Sequence, residues 1–270
     1  MAPDRATARR KPPLSDASPV EPIERYKRAA AEAAAAIVED QMRVGLGTGS
    51  TVSYLLPALA TRGLRCLRCV ATSPATEQSA RALGLVVEDL DAVSELDIAI
   101  DGADQVDPAG WLVKGGGAAQ TREKIVAAAA RRFVVIVSAE KVVPALGSPV
   151  PLEVLRFGVE HTLAEVGDAR LRGDLQSPDG NLIADYFGPI GDPADLAARL
   201  SATPGVVEHG LFAPELVSYI LIAGGAPRRD GGVSVERRAG GKPEMGVSSS
   251  DGEAELRAAS GRSSSSDATE

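Results

Sequence analysis

The sequence predicts an α/β fold: a Rossmann-like parallel sheet flanked by helices, with a second, smaller α+β domain. Three observations predict it. Apolar runs of strand length, such as FVVIV, alternate with helix-length stretches of strong helix formers between residues 23 and 138, the rhythm of a parallel sheet with crossover helices. Glycine and small hydroxyl residues stand where those strands end, as open α/β sheets require at their ligand-binding edge. Beyond Gly147 the rhythm gives way to proline-bounded, irregularly spaced segments.

Each element follows in order. From Ile23 to Glu39, IERYKRAAAEAAAAIVE is rich in helix formers and reads as a first helix. MRVGLGTGSTVSYLLPAL is a short strand, a glycine-rich turn and a helix opened by residues suited to capping. RCLRCVATS is a strand, PATEQSARALG a helix with proline near its start and Gly84 at its stop, and LVVEDL another strand. ELDIAIDGADQV and RRFVVIVSAEK supply two more strands, separated by a glycine loop and the helix TREKIVAAAARR. Thr121 is expected to cap that helix, which sets Glu123 in its first turn. Farther on, SPDGN marks a turn and DPADLAARL a helix, while GVVEHGLF and LVSYILIAG are expected to return the chain to the first sheet. The resulting organisation is a disordered leader over 1–21, a catalytic α/β domain over 22–147 completed by 211–225, a small α+β domain over 148–210, and a disordered tail over 226–270. That tail is glycine, serine and charge without an apolar period.

Composition narrows the function. The chain has 270 residues and a formal net charge of −8, against a general nucleic-acid surface. No run reaches the ~20 apolar residues of a membrane span, and the N-terminal stretch lacks a signal peptide's apolar core. The expected location is cytoplasmic. Cys66 and Cys69 form one C-x-x-C on a predicted strand with no second pair, a poor basis for redox or zinc chemistry. His161 and His209 are the two histidines, read as structural or surface residues, and they leave no histidine cluster for a metal.

Three stretches remain as candidates for chemistry. GLGTGST, Gly45 to Thr51, joins a strand to a helix, where backbone amides and hydroxyls form an anion site. It is not a dinucleotide fingerprint, because Ser50 occupies the place of the third glycine and the next strand ends in VATS, without an acid for a ribose. DGAD, Asp101 to Asp104, puts two carboxylates at a strand's carboxyl end, and KGGG sets Lys114 beside Gly115, Gly116 and Gly117. In a parallel sheet these loops leave one edge, so Thr48, Asp101, Asp104 and Lys141 should converge there with the glycine loop.

GLGTGST, DGAD, KGGGAAQTREKI and GVVEHGLF, in that order and spacing, closely resemble ribose-5-phosphate isomerase of type A over residues 23 to 225. The resemblance implies interconversion of D-ribose 5-phosphate and D-ribulose 5-phosphate through a cis-enediolate, without a cofactor or metal, in the non-oxidative pentose phosphate pathway. It makes Glu123 the catalytic base, and matches Thr48, Gly49, Ser50 and Thr51 to the substrate loop. Asp101, Gly102, Ala103 and Asp104, then Lys114, Gly115, Gly116 and Gly117, and Lys141 complete the substrate contacts; Lys27 stands where the family has a phosphate-contacting lysine. In this reading Lys114 and the glycine amides stabilise negative charge on O1 and O2, Asp101 or Asp104 exchanges a proton with O5, and Ser50, Thr51, Lys141 and Lys27 hold the phosphate. Two positions depart from the pattern: Gln120, where leucine is common, and Gln105, where an acid is common. The expected partners are a sugar phosphate and a second copy of the chain in a homodimer, with neither nucleic acid nor membrane. Two alternatives stay open: a non-catalytic sugar-phosphate sensor, and a CoA-transferase-like enzyme using its glutamate as a nucleophile.

Overall fold

The computed structural model describes residues 20–93, 95–225 and 232–243. Helix α1 (Val20–Ala36) leads into β1 (Arg43–Leu46), α2 (Val52–Ala60), β2 (Arg68–Ala71), α3 (Pro74–Ala82), β3 (Val86–Val87) and β4 (Leu96–Asp101). A short hairpin of β5 (Gln105–Val106) and β6 (Leu112–Val113) precedes α4 (Gln120–Ala129) and the long strand β7 (Ala130–Ser138). Then come β8 (Val150–Val154), α5 (Val159–Val166), β9 (Ala169–Gln176), β10 (Leu182–Tyr186), α6 (Pro193–Ala202) and β11 (Val206–His209). Among the described residues the last elements are β12 (Leu211–Phe212), β13 (Tyr219–Ala223) and β14 (Val235–Ala239).

The first sheet has seven strands in the order β14-β13-β7-β4-β1-β2-β3, parallel except where β14 runs antiparallel to β13. Strand alternation divides its side chains between two cores. Val134 and Ile136 of β7 pack with Ala30, Ala31 and Ala34 of α1 and Leu55 and Leu59 of α2; Phe133, Val135 and Val137 face the other way, onto Val126 and Ala127 of α4. The alanines explain how α1 lies close to the sheet: a methyl side chain keeps the helix backbone near the strands. The sequence of strands reverses direction between β1 and β4, so the loops after these neighbours diverge and leave a crevice at their carboxyl ends. No described helix is long and apolar enough to cross a membrane.

Between Val150 and His209 the chain builds a four-stranded antiparallel sheet, β11-β8-β10-β9. Its apolar side, with Val150, Leu152, Val154 and Ala184, packs on Leu196 and Leu200 of α6 and Val166 of α5. A three-stranded sheet, β12-β6-β5, joins the β5–β6 hairpin, inserted between β4 and α4, to β12, which follows β11 as the chain returns to the first sheet.

Four expectations are corrected. β13 joins the first sheet as expected, but GVVEHGLF goes to the second and third sheets through β11 and β12. The stretch from 226 onward contains β14, paired along its whole length with β13. An edge strand is held by main-chain hydrogen bonds, which leave no apolar period in VERRA; residues 226–231 and 244–270 lie outside the described residues. The first helix opens three residues early, at Val20, so that Val20 and Glu21 belong to α1 while 1–19 lie outside the description. Thr121 does not cap α4: Ala119 holds the cap position without a side-chain bond, and the Thr121 hydroxyl donates to Glu153 Oε2 of β8.

Candidate active site

The loops after β1, β4, β6 and β7 meet around one open cavity. Thr48, Gly49, Ser50 and Thr51 form one wall, Gly102, Ala103 and Asp104 a second, and Lys114 to Gly117 with Glu123 and Lys141 the rest. Parallel topology accounts for the convergence of the loops after β1, β4 and β7, whose strands point their carboxyl ends to the same edge, while the glycine loop is delivered there by the antiparallel β5–β6 hairpin.

Asp101, expected to touch the ligand, does not line the cavity. It is buried beneath it, where Oδ1 accepts the N–H groups of Thr48 (3.0 Å) and Gly102 (2.7 Å) and Oδ2 accepts Lys114 Nζ at 2.8 Å. The carboxylate fits only because residue 47 is glycine: a Cβ there would lie 1.9 Å from Asp101 Cγ. Lys114 is the cavity's ammonium, 2% exposed. Besides Asp101, its Nζ donates to Gly102 O at 2.6 Å, and it stands 3.1 Å from Glu123 Oε2.

Glu123 lies in the first turn of α4 with its backbone N–H bonded to Ala119 O at 2.9 Å. Its side chain is buried, and Oε2 has no hydrogen-bond partner among the described residues. Two carboxylates thus share one ammonium in a desolvated pocket, which disfavours ionising both. Asp101 has two backbone donors and the lysine to hold its charge, although burial pushes its carboxyl upward as well. The Glu123 carboxyl is pushed up to about 8, first by desolvation and then by the Asp101 charge, with Lys114 opposing both. Burial works against the Lys114 charge too, but Asp101 and Glu123 outweigh it and raise the lysine above its usual value. The result is a carboxyl poised to take or release a proton near neutrality, beside a permanent cation.

Asp104, on the cavity wall, accepts the Gly116 N–H on Oδ2 at 2.9 Å, tying the DGAD and glycine loops together. Thr48 is fixed by its hydroxyl, 2.8 Å from that of Thr72. Ser50 is exposed and Thr51 half-buried just ahead of α2, and no side chain caps that helix. Lys141 follows β7 and lines the cavity from a single helical turn. Lys27 does not join them: its ammonium is held by Glu24 at 2.8 Å, and Glu24 in turn accepts the Tyr54 hydroxyl of α2.

Sequence reasoning missed the support for Lys114. Phe212, fully buried on β12, presents its ring to two ammonium groups, with Lys114 Nζ 5.3 Å and Lys124 Nζ 4.9 Å from its centroid. Beside it, Gly210 O accepts the Lys114 N–H at 2.8 Å. The signal lay in EHGLF, but only pairing of β12 with β6 reveals its use. Gln120 was noticed but not its setting: it is fully buried, with neither its amide nitrogen nor its oxygen hydrogen-bonded among the described residues.

The remaining candidates stand apart. Burial pushes the Cys69 thiol up to about 12, which removes it as a nucleophile. His209 is buried, accepts the Leu211 N–H on Nδ1 at 3.2 Å and is pushed down to about 4 by desolvation and by Lys124, so its ring is neutral. His161 is exposed on α5.

Comparison with known proteins gives one answer at three levels. The family model described as ribose 5-phosphate isomerase A (phosphoriboisomerase A) matches residues 68–226. Ribose-5-phosphate isomerase A of Caulobacter vibrioides is 49% identical over 201 residues, covering 69% of this chain and 88% of the relative. That of Legionella pneumophila is 42% identical over 200 residues, covering 72% and 93%. Among solved structures, ribose 5 phosphate isomerase A from Neisseria gonorrhoeae superposes with a TM-score of 0.72 at 32% identity, over 80% of this chain and 97% of that one. A D-ribose-5-phosphate isomerase in complex with phospho-erythronic acid gives 0.73 at 36% identity, over 80% and 99%.

Proposed function

This chain belongs to the ribose 5-phosphate isomerase A family, and from that premise we propose that it interconverts D-ribose 5-phosphate and D-ribulose 5-phosphate through a cis-enediolate, with Glu123 as general base. Family membership takes the place of the sensor and acyl-transfer alternatives. The observation that carries the mechanism is the Lys114 to Glu123 separation of 3.1 Å at the wall of a cavity. Aldose–ketose isomerisation moves a proton between C1 and C2, and its barrier is the formation of a carbanion beside a carbonyl. Glu123 removes the proton from one carbon and returns it to the other; a base so placed contributes ~10²–10⁴-fold. Charge that grows on O1 and O2 meets the Lys114 ammonium, already aimed by Asp101, and the Gly117 amide of the glycine loop, whose Gly116 N–H is held by Asp104.

The buried position of Asp101 separates the two aspartates. Asp101 orients Lys114, while Asp104, on the cavity wall, exchanges the proton with O5 during ring opening. Ser50, Thr51 and the main-chain amides just ahead of α2 take the phosphate, with Lys141 on the wall of the same cavity. Lys27, locked to Glu24, leaves the phosphate set. The homodimer and cytoplasmic location expected from the sequence belong to the same proposal. Phe157, 92% exposed, with Leu155 and Val207 nearby on the small sheet, offers such a dimer an apolar contact that sedimentation at two concentrations reads out.

The experiment is solvent-tritium exchange into ribulose 5-phosphate by the purified chain, with and without EDTA. Exchange coupled to isomerisation and indifferent to EDTA is expected. Glu123→Gln should lose at least ~10²-fold in kcat with its fold intact; retained turnover in that variant refutes the assigned base.

A further inference from the structure

Arg172, on β9, divides its guanidinium between two partners. Nε donates to Asp185 Oδ2 of the adjacent strand β10 at 2.8 Å, and Nη2 donates to Asp185 Oδ1. Nη1 reaches out of the small sheet and donates to two main-chain carbonyls of the glycine loop, Gly116 O at 3.1 Å and Gly115 O at 3.3 Å. Gly115 O also accepts the Ala118 N–H at 3.0 Å, whereas three consecutive glycines have no side chains of their own to fix the loop. Gly115 has a φ of +99°, in the region glycine enters freely, so its peptide units turn over cheaply unless tied.

A trans peptide is planar, with C=O and N–H on opposite sides. Holding the Gly115 and Gly116 carbonyls toward Arg172 therefore turns the Gly116 and Gly117 N–H groups away from it. The Gly116 N–H already points to Asp104 Oδ2 at 2.9 Å, and Gly116 and Gly117 both border the cavity. Resting on the isomerase reading above, we propose that Arg172 is a positioning residue for the reaction, clamping the glycine loop so that the Gly116 N–H stays on Asp104 and the Gly117 amide stays turned toward the developing enediolate oxygens. Asp185 holds the guanidinium fork in register. The planar fork serves both sides at once, as a single lysine ammonium cannot.

Amides that act on charge present only in the transition state govern kcat more than KM. The test is to measure both constants for ribose 5-phosphate with the wild type, Arg172→Ala and Arg172→Lys, adding guanidinium or methylammonium at millimolar, non-denaturing concentration. Each variant should lose about 10–100-fold in kcat, with KM changed less than about threefold. Guanidinium should restore part of the Arg172→Ala activity, since the side chain is 26% exposed and its vacated site is reachable, while methylammonium should not. Unchanged kcat, a deficit carried equally by KM, or a deficit that guanidinium leaves untouched overturns the proposal. Should Arg172→Ala fail to fold, Arg172→Lys decides alone: a kcat loss at unaltered Tm supports the clamp, and wild-type kcat sinks it. A wild type without isomerase turnover would remove the isomerase reading and the clamp together; normal wild-type turnover with indifferent variants removes the clamp only.

Discussion

Glu123 couples catalysis to stability through a single proton. As a base it must be ionised, so kcat/KM should rise with pH through about 8 and level off above. A profile flat between about pH 6 and about pH 9 would contradict the assignment. The same group acts on folding with the opposite sense. Its folded pKa of about 8 lies above the usual 4.5, so the folded chain holds this proton more tightly than the unfolded one, and stability falls as pH rises through that window. Glu123→Gln mimics the protonated form at every pH. Thermal unfolding should show the variant close to wild type near the bottom of the window and more stable above its top. Gln120 presents a second residue-scale opportunity: a fully buried amide without partners costs about 1–3 kcal/mol. Gln120→Leu, of similar volume, should raise stability by about 1 kcal/mol while activity holds, and a lowered Tm would reveal an amide partner. Asp104 and Lys114 were legible because their motifs follow strands, and Glu123 because it opens a stretch of helix formers; the inward turn of Asp101 was not. It depends on the missing Cβ of Gly47, a contact between loops that neither stretch discloses alone.

Elements were legible where burial imposes a period. FVVIV within β7 and YILIA of β13 are continuous apolar runs because both their faces are covered, and α3 carries its own punctuation in the Ser73 cap, Pro74 and Gly84. The turn between β11 and β12 carries no such mark. Gly210 donates its N–H to Pro151 O at 2.7 Å and accepts from Lys114 N–H, threading β6 and β8 together. A Cβ at this position would lie 2.2 Å from Lys114 O and 2.9 Å from Pro151 Cδ. Gly210→Ala must therefore push β12 away from Lys114, at a cost of about 1–3 kcal/mol. Denaturant unfolding should register that loss together with a fall in kcat, because Phe212 moves with the strand. A variant as stable and as active as wild type would mean that the turn yields without disturbing Lys114.

At the scale of the molecule, the small sheet holds the helix that carries the base. Three residues around Glu123 each bond to a different part of that sheet: Thr121 to Glu153 of β8, Arg122 to Asp179 at 2.7 Å in the β9–β10 turn, and Lys124 to Glu208 of β11 at 2.7 Å. Glu123 alone turns the other way, into the cavity. The convergence of loops at the first sheet's edge could be read from strand order, but this grip could not, since polar contacts between distant segments have no periodicity. Glu153 is its center of bonding, 1% exposed and accepting from Thr121, from Ser177 Oγ at 2.6 Å and from Asn181 Nδ2 at 2.7 Å. Glu153→Leu keeps much of the bulk but removes the carboxylate that all three donors share. A loss of about 1–3 kcal/mol follows from the unpaired polar groups this leaves. Because α4 then loses one of its three attachments, kcat should fall while KM changes little, as the phosphate loop belongs to the other sheet. Thermal unfolding and steady-state kinetics on one preparation test both parts. A destabilised variant with wild-type kcat would show that Arg122 and Lys124 suffice to aim Glu123, and would confine the role of Glu153 to the fold.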